Sequence, residues 1–189
     1  METLVPTTPE PSEEATTVAA PVIDQEKLDL YMHRLRLEQN LPKAVVAGLL
    51  AATIAGMAWG TITYVTQYQI GIMAVGVGLL VGYAVRTVGQ GLDKIFGIMG
   101  ALFALLGCLI GNYLYTIGFI ADEMGLNFLN TFTSIDLAVV PELMVEVASP
   151  MDLLFYGIAL YEGYKFSFRQ LTEQEILANA TPMAAASAE

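Results

Sequence analysis

The sequence predicts an all-α fold: a polytopic membrane helix bundle of four transmembrane helices, with an N-terminal amphipathic helix and short external interfacial helices. Three observations carry this. First, the 189 residues are 55% hydrophobic and only 14% charged, where a soluble domain carries roughly 25% charged residues. Second, long runs contain no Asp, Glu, Lys or Arg at all. Third, the bases left over all fall on one side of those runs, and the one long loop on the other side carries acids without a Lys or Arg. The net charge of −11 resides in the tails and one loop, so it indicates neither nucleic acid nor an acidic substrate as a partner.

Residues 1–22, METLVPTTPEPSEEATTVAAPV, lack a basic residue and an apolar core, so they do not match a signal peptide and are expected to be disordered. Residues 23–41 place Leu28, Tyr31 or Met32, and Leu35 at helical spacing among charges, which predicts an amphipathic cytoplasmic helix. A transmembrane domain over 42–169 follows. Its first span, about 44–65, is 22 residues without a charge, or about 33 Å of helix against a hydrocarbon core of roughly 30 Å. The second, 69–86, is shorter and stops at Arg86. The third, 95–121, ends at Asp122 and Glu123.

The fourth span, 150–168, is weaker. Leu153, Leu154, Phe155, Ile158 and Leu160 each favour insertion by about 0.3–0.6 kcal/mol, and one central charge opposes it by about 2.5–3.5 kcal/mol, so this helix needs the others. Its start is marked by Ser149 as N-cap, Pro150 in the first position and Asp152 three residues after the cap. Between spans three and four, the acidic segment 122–149 is apolar enough for one or two amphipathic helices lying on the outer surface. Their apolar face could rest on lipid, cover the bundle or dock a partner. Residues 170–189 form a cytoplasmic tail, expected to be disordered from about 175.

With four spans, all eight basic residues (Lys27, Arg34, Arg36, Lys43, Arg86, Lys94, Lys165 and Arg169) fall on one side. The positive-inside rule makes that side cytoplasmic, with both termini there. Three spans would place Lys165 and Arg169 outside.

Fourteen of the 17 glycines lie between Gly48 and Gly118. Gly48, Ala52, Gly56 and Gly60 recur every four residues in the first span; Gly71, Ala74, Gly78 and Gly82 line one face of the second; Gly100, Ala104 and Cys108 form a row in the third, beside Gly107 and Gly111. Small residues so spaced let helix backbones approach closely in lipid. Gly76, Gly78 and Gly82 also spell G-x-G-x-x-x-G, but no strand precedes them and the position about 20 residues after Gly76 is apolar Phe96. A dinucleotide turn needs both a strand and an acid there, so no nucleotide cofactor is expected.

The segments YQIGIMAVGVGLLVGYAVR, GALFALLGCLIGNYL and DLLFYGIALYEGYKFSF, in this order across residues 42–168, resemble a family of small uncharacterised bacterial multi-pass inner-membrane proteins with glycine-rich helices. The resemblance implies an inner-membrane location and no catalytic residue.

Glu162 and Lys165, three residues apart in the fourth span, are the chemistry-bearing candidates, with Arg86 as an alternative partner. An ionisable group at membrane depth is a functional candidate by default. Either Glu162 forms an intramembrane ion pair with Lys165 or Arg86, or it is an ion or proton site. Asn112 and Gln69 are candidates for interhelical hydrogen bonds. One cysteine, Cys108, and one histidine, His33, leave nothing to build a metal site. None of Ser134, Ser149 and Ser167 lies deep in a span, which disfavours an intramembrane serine hydrolase. The sequence thus points to a non-enzymatic membrane protein without cofactor, whose partners are the bilayer and itself or another membrane protein. The alternative is a small oligomeric channel or transporter using Glu162.

Overall fold

The computed structural model describes residues 23–68, 71–136, 138–147 and 150–181. Among them the chain is all helix, without a strand: α1 (Gln25–Glu38), α2 (Leu41–Thr66), α3 (Ile72–Gly89), α4 (Lys94–Glu123), α5 (Phe128–Ser134), α6 (Val140–Val147), α7 (Pro150–Phe166) and α8 (Glu173–Ala180). Three of these, α2, α3 and α4, with 26, 18 and 30 residues, are long and apolar enough to cross a membrane. The segment expected to form a fourth span is helical as α7, but its 17 residues, ending at Phe166, are not among these three.

Local chemistry sets the helix ends. Asn40 caps α2 by accepting the Lys43 N–H, and Pro42 occupies its first turn, where a missing N–H costs nothing. Gln67 and Gln90 close α2 and α3 in the left-handed region, at φ 54° and 53°. The G-x-G-x-x-x-G stretch is continuous helix within α3, so its glycines form no turn.

α3 and α4 pack together, α2 lies in the groove on one side of this pair, and α7 lies in the groove on the other. The Asn40 N–H donates to the Gly89 carbonyl at 2.9 Å and the Arg169 N–H to the Gly91 carbonyl at 2.8 Å. These bonds bring the start of α2, the end of α3 and the exit from α7 to one end of the bundle. At the other end the Tyr64 hydroxyl meets both carboxylate oxygens of Asp122, at 2.8 and 2.9 Å, and Gly71 faces the Phe155 ring. α7 therefore runs from the second end toward the first, parallel to α3 and antiparallel to α4.

The core is built from small side chains. Ala44, Ala52, Ala74, Ala104, Cys108 and Ala159 are fully buried, joined by Trp59, Val81 and Val85. Large aliphatics point outward instead, as with Leu50, Leu80, Leu102 and Leu153. Water would penalise that arrangement, but lipid, as apolar as leucine, does not.

Outside the bundle the structure revises two expectations. The tail expected to be disordered from about 175 contains α8, whose start is a capping box: the Thr172 N–H donates to Glu175 at 3.0 Å. α8 packs on α1, the Asp24 N–H donating to the Ala180 carbonyl at 2.8 Å. In α1, Leu35 is buried and Leu28, Tyr31 and Met32 are half-buried, but Leu30 and Leu37 are exposed, so the helix is not cleanly two-faced. The expectations for residues 1–22 and 182–189, and for Ser149 and Gln69, fall outside the described residues.

The acidic segment folds into α5 and α6 and covers the C-terminal part of α4. Ile135, Val140 and Leu143 meet Tyr113, Thr116, Ile117 and Ile120, and the Phe132 ring lies 6.0 Å from that of Tyr113.

Candidate functional site

Glu162 lies on α7 with its Cβ against the backbone of α3 at Gly78, one residue from Gly163, which abuts Gly100 and Ala104 of α4. The register of α2 on α4, with Gly56 opposite Gly107 and Gly60 opposite Gly111, carries the same level across to α2 near Thr53. By these contacts the carboxylate sits within about one helical turn of the midpoints of α2, α3 and α4. It is half-exposed, at the edge of the α3–α7 interface.

The ion pair expected for it does not form. The two ion pairs among the described residues are Arg36–Asp93 at 3.9 Å and Arg169–Glu38 at 3.0 Å. Arg86 lies eight residues beyond Gly78 on α3, about 12 Å along the axis, and makes no ion pair with Glu162. Lys165 is exposed and turns over the Tyr161 and Phe166 rings, 5.4 and 5.6 Å from their centroids, a cation–π placement. No hydrogen bond or ion pair among the described residues reaches Glu162.

The small residues read from the sequence all lie between helices of this one chain. A Cβ built on Gly56 would meet the Gly107 carbonyl at 2.6 Å, and one on Gly60 the Gly111 carbonyl at 2.8 Å; in return Gly107 faces Ala52 and Gly111 faces Gly56. Gly48 faces Phe103 and Val85. On α3, a Cβ on Gly78 would meet the Ala159 carbonyl at 2.8 Å and one on Gly82 the Gly163 carbonyl at 3.2 Å, while Ala74 is fully buried. Gly100 faces Ser167 and the Gly163 carbonyl.

Gly163 itself escaped the sequence reading. Both α3 and α4 converge on it, and a Cβ there would come within 2.6 Å of the Gly100 carbonyl and 2.7 Å of the Ala104 Cβ. A signal existed: Ala159 and Gly163 are spaced four apart, the same small-xxx-small pattern as in the other helices. By contrast Gly76 and Gly157 face open space.

Polar groups lie in the half of the bundle away from the N-terminal helix. The Asn112 amide donates to the Tyr156 hydroxyl, linking α4 to α7, and Thr116 caps the Asn112 carbonyl at 2.8 Å. Trp59 Nε1, Thr63 Oγ1 and Asn112 Oδ1 are buried without a hydrogen-bond partner among the described residues. Asp152, buried in the first turn of α7, belongs to the same region.

A second polar cluster, at the N-terminal-helix end, was invisible to spacing. The Gln39 carboxamide oxygen accepts the N–H groups of Leu92 and Asp93, at 2.9 and 3.1 Å, and its nitrogen donates to Asp93 at 3.0 Å. Arg169 donates to both Glu38 and Gln90, at 3.0 and 2.8 Å. The α3–α4 link is thus clasped by residues before α2 and after α7.

Among the described residues no group of three or more His, Cys, Asp or Glu is placed to hold a metal ion. Comparison with family models, characterised proteins and solved structures yields no match.

Proposed function

We propose that this chain is a non-enzymatic integral membrane protein of a bacterial inner membrane that assembles, with itself or another membrane protein, as a structural subunit. It crosses the membrane four times, with both termini in the cytoplasm. α7 supports the fourth crossing, because it runs alongside α3 from one end of the bundle to the other. The end holding Gln39, Gly91 and Arg169 is then the cytoplasmic one, in keeping with the distribution of bases.

One observation carries the assembly: Glu162 stands at mid-depth, half-exposed, with no partner in its own chain among the described residues. A carboxylate left against lipid is costly, and such groups face a protein partner or a hydrated path. The glycine seams do not carry this reading, since α2, α3, α4 and α7 use them on one another.

The test is photo-crosslinking in native membranes from Leu79, which is exposed and directly follows the Gly78 that Glu162 touches, with Leu102 on the exposed side of α4 as control. An adduct at Leu79 alone, of twice the chain mass or containing a foreign subunit, is expected. No adduct, together with a monomeric native mass in mild detergent, overturns the proposal.

A second reading is a small oligomeric channel or transporter in which Glu162 responds to protons or cations. The same mid-depth carboxylate favours it. Ion flux in liposomes that disappears in Glu162→Gln, with folding intact, would select this reading over a purely structural one.

A further inference from the structure

At the end of the bundle that carries the basic residues, an open groove of about 470 Å³ is lined by Pro42, Lys43, Val46, Ala47 and Leu50 of α2 and Val88 of α3. Its walls are apolar, with Val46, Leu50 and Val88 exposed along it, and from Pro42 to Leu50 it follows α2 for about 12 Å. Lys43 stands at its mouth, exposed, its ammonium in no ion pair or hydrogen bond among the described residues. The backbone N–H of Lys43, not its side chain, is what Asn40 engages.

An apolar channel at membrane depth ending in one unpaired cation at the headgroup level matches a single class of molecule. We propose that this groove binds an anionic phospholipid, its acyl chain along Val46, Leu50 and Val88 and its phosphate on the Lys43 ammonium. The start of α2, with its N–H groups directed to the same end, adds to the attraction for phosphate. The chain supplies its own control. A second apolar groove, of about 370 Å³ between α2 and α4, is lined by Met57, Gly60, Thr61, Tyr64, Leu114 and Phe128, with no cation among them. That groove has no means of selecting headgroup charge. The inference rests on α2 and α3 lying in a membrane, and not on the number of crossings or on assembly.

The experiment is native mass spectrometry of the full chain released from nanodiscs holding equal phosphatidylglycerol and phosphatidylethanolamine, comparing the wild type with Lys43→Gln, Ala47→Trp and Thr61→Trp. The wild type is expected to retain phosphatidylglycerol preferentially. Lys43→Gln should reduce that preference on the order of fivefold, the effect of one basic residue at an anionic surface. Ala47→Trp should lower retention of both lipids at this groove, and Thr61→Trp should leave the preference unchanged. A preference that survives Lys43→Gln, or that falls with Thr61→Trp, overturns the site. Because Lys43 is exposed and outside the helix packing, its substitution does not compromise folding. A wild type that retains neither lipid would refute the membrane placement of the groove itself.

Discussion

Substituting alanine at two glycines of α7 should move stability in opposite directions, although they are only six residues apart. At Gly163 the new Cβ would lie 2.6 Å from the Gly100 carbonyl and 2.7 Å from the Ala104 Cβ. Ordinary contact needs roughly 3.4 Å or more, so α7 must withdraw from α4 by a good part of an ångström. The same backbone also receives Gly82 of α3, where a Cβ would lie 3.2 Å from the Gly163 carbonyl, so the withdrawal loosens two interfaces. Overpacking of this kind costs about 1–3 kcal/mol, against the roughly 1 kcal/mol that alanine gains over glycine within a helix. The net loss at Gly163 is then up to about 2 kcal/mol. At Gly157 the Cβ meets nothing. There only the helix term remains, and Gly157→Ala should stabilise by about 0.5–1 kcal/mol. For a chain of this size 1 kcal/mol corresponds to about 2–4 °C. Thermal unfolding in one detergent, followed by circular dichroism, should therefore give a Tm drop for Gly163→Ala and a small rise for Gly157→Ala. Equal shifts, or a more stable Gly163→Ala, would refute the placement of α7 against both α3 and α4.

Further outcomes follow from other contacts. Tyr156→Phe removes the acceptor of the Asn112 amide and should cost about 1–3 kcal/mol, since it strands a buried donor, whereas the double variant Asn112→Leu/Tyr156→Phe should recover most of that loss in a double-mutant cycle. Gln39→Ala frees the N–H groups of Leu92 and Asp93, and their amide hydrogen exchange should accelerate by at least an order of magnitude while that of the α4 centre stays unchanged. The Thr172 backbone N–H, followed by its hydroxyl, holds the Glu175 carboxyl below its usual range. A lowered folded pKa means the contribution is complete above the ordinary carboxylate value of about 4.3 and is lost as pH falls through the lower folded value. Protection factors over 173–180, which correct exchange for its intrinsic pH dependence, should therefore fall below about pH 4 in the wild type. Glu175→Gln, which can still close the capping box, should abolish that pH dependence.

How much of this was legible differs by level. Charge-free runs locate α2 and α4 to within a few residues, because nothing but a helix satisfies the backbone of an apolar stretch that long. α3 begins at Ile72 and runs to Gly89, three residues past Arg86, since its stop is set by the left-handed Gln90 and not by the charge. Four-residue spacing reveals which face of a helix is small, as at Gly56 and Gly60, but not what covers it. Spacing cannot distinguish an intrachain neighbour from a second subunit, and here the neighbour of both glycines is α4. For Glu162 the approximate depth could be counted from Asp152, whereas the missing ion pair depends on the stagger of α7 against α3, which is a tertiary quantity. The Gln39 clasp joins residues 53 and 54 positions apart and leaves no local trace.

The arrangement of α2 and α7 on opposite flanks of the α3–α4 pair has a bearing on biogenesis. Chain order matches the order in which a nascent polypeptide can build the molecule. The three strongly apolar helices precede α7 in the chain, and α3 and α4 carry Gly78, Gly82 and Gly100, the small residues on which α7 packs. The least apolar helix of the bundle thus arrives last, after the intervening α5–α6 segment, at a berth already shaped for its backbone.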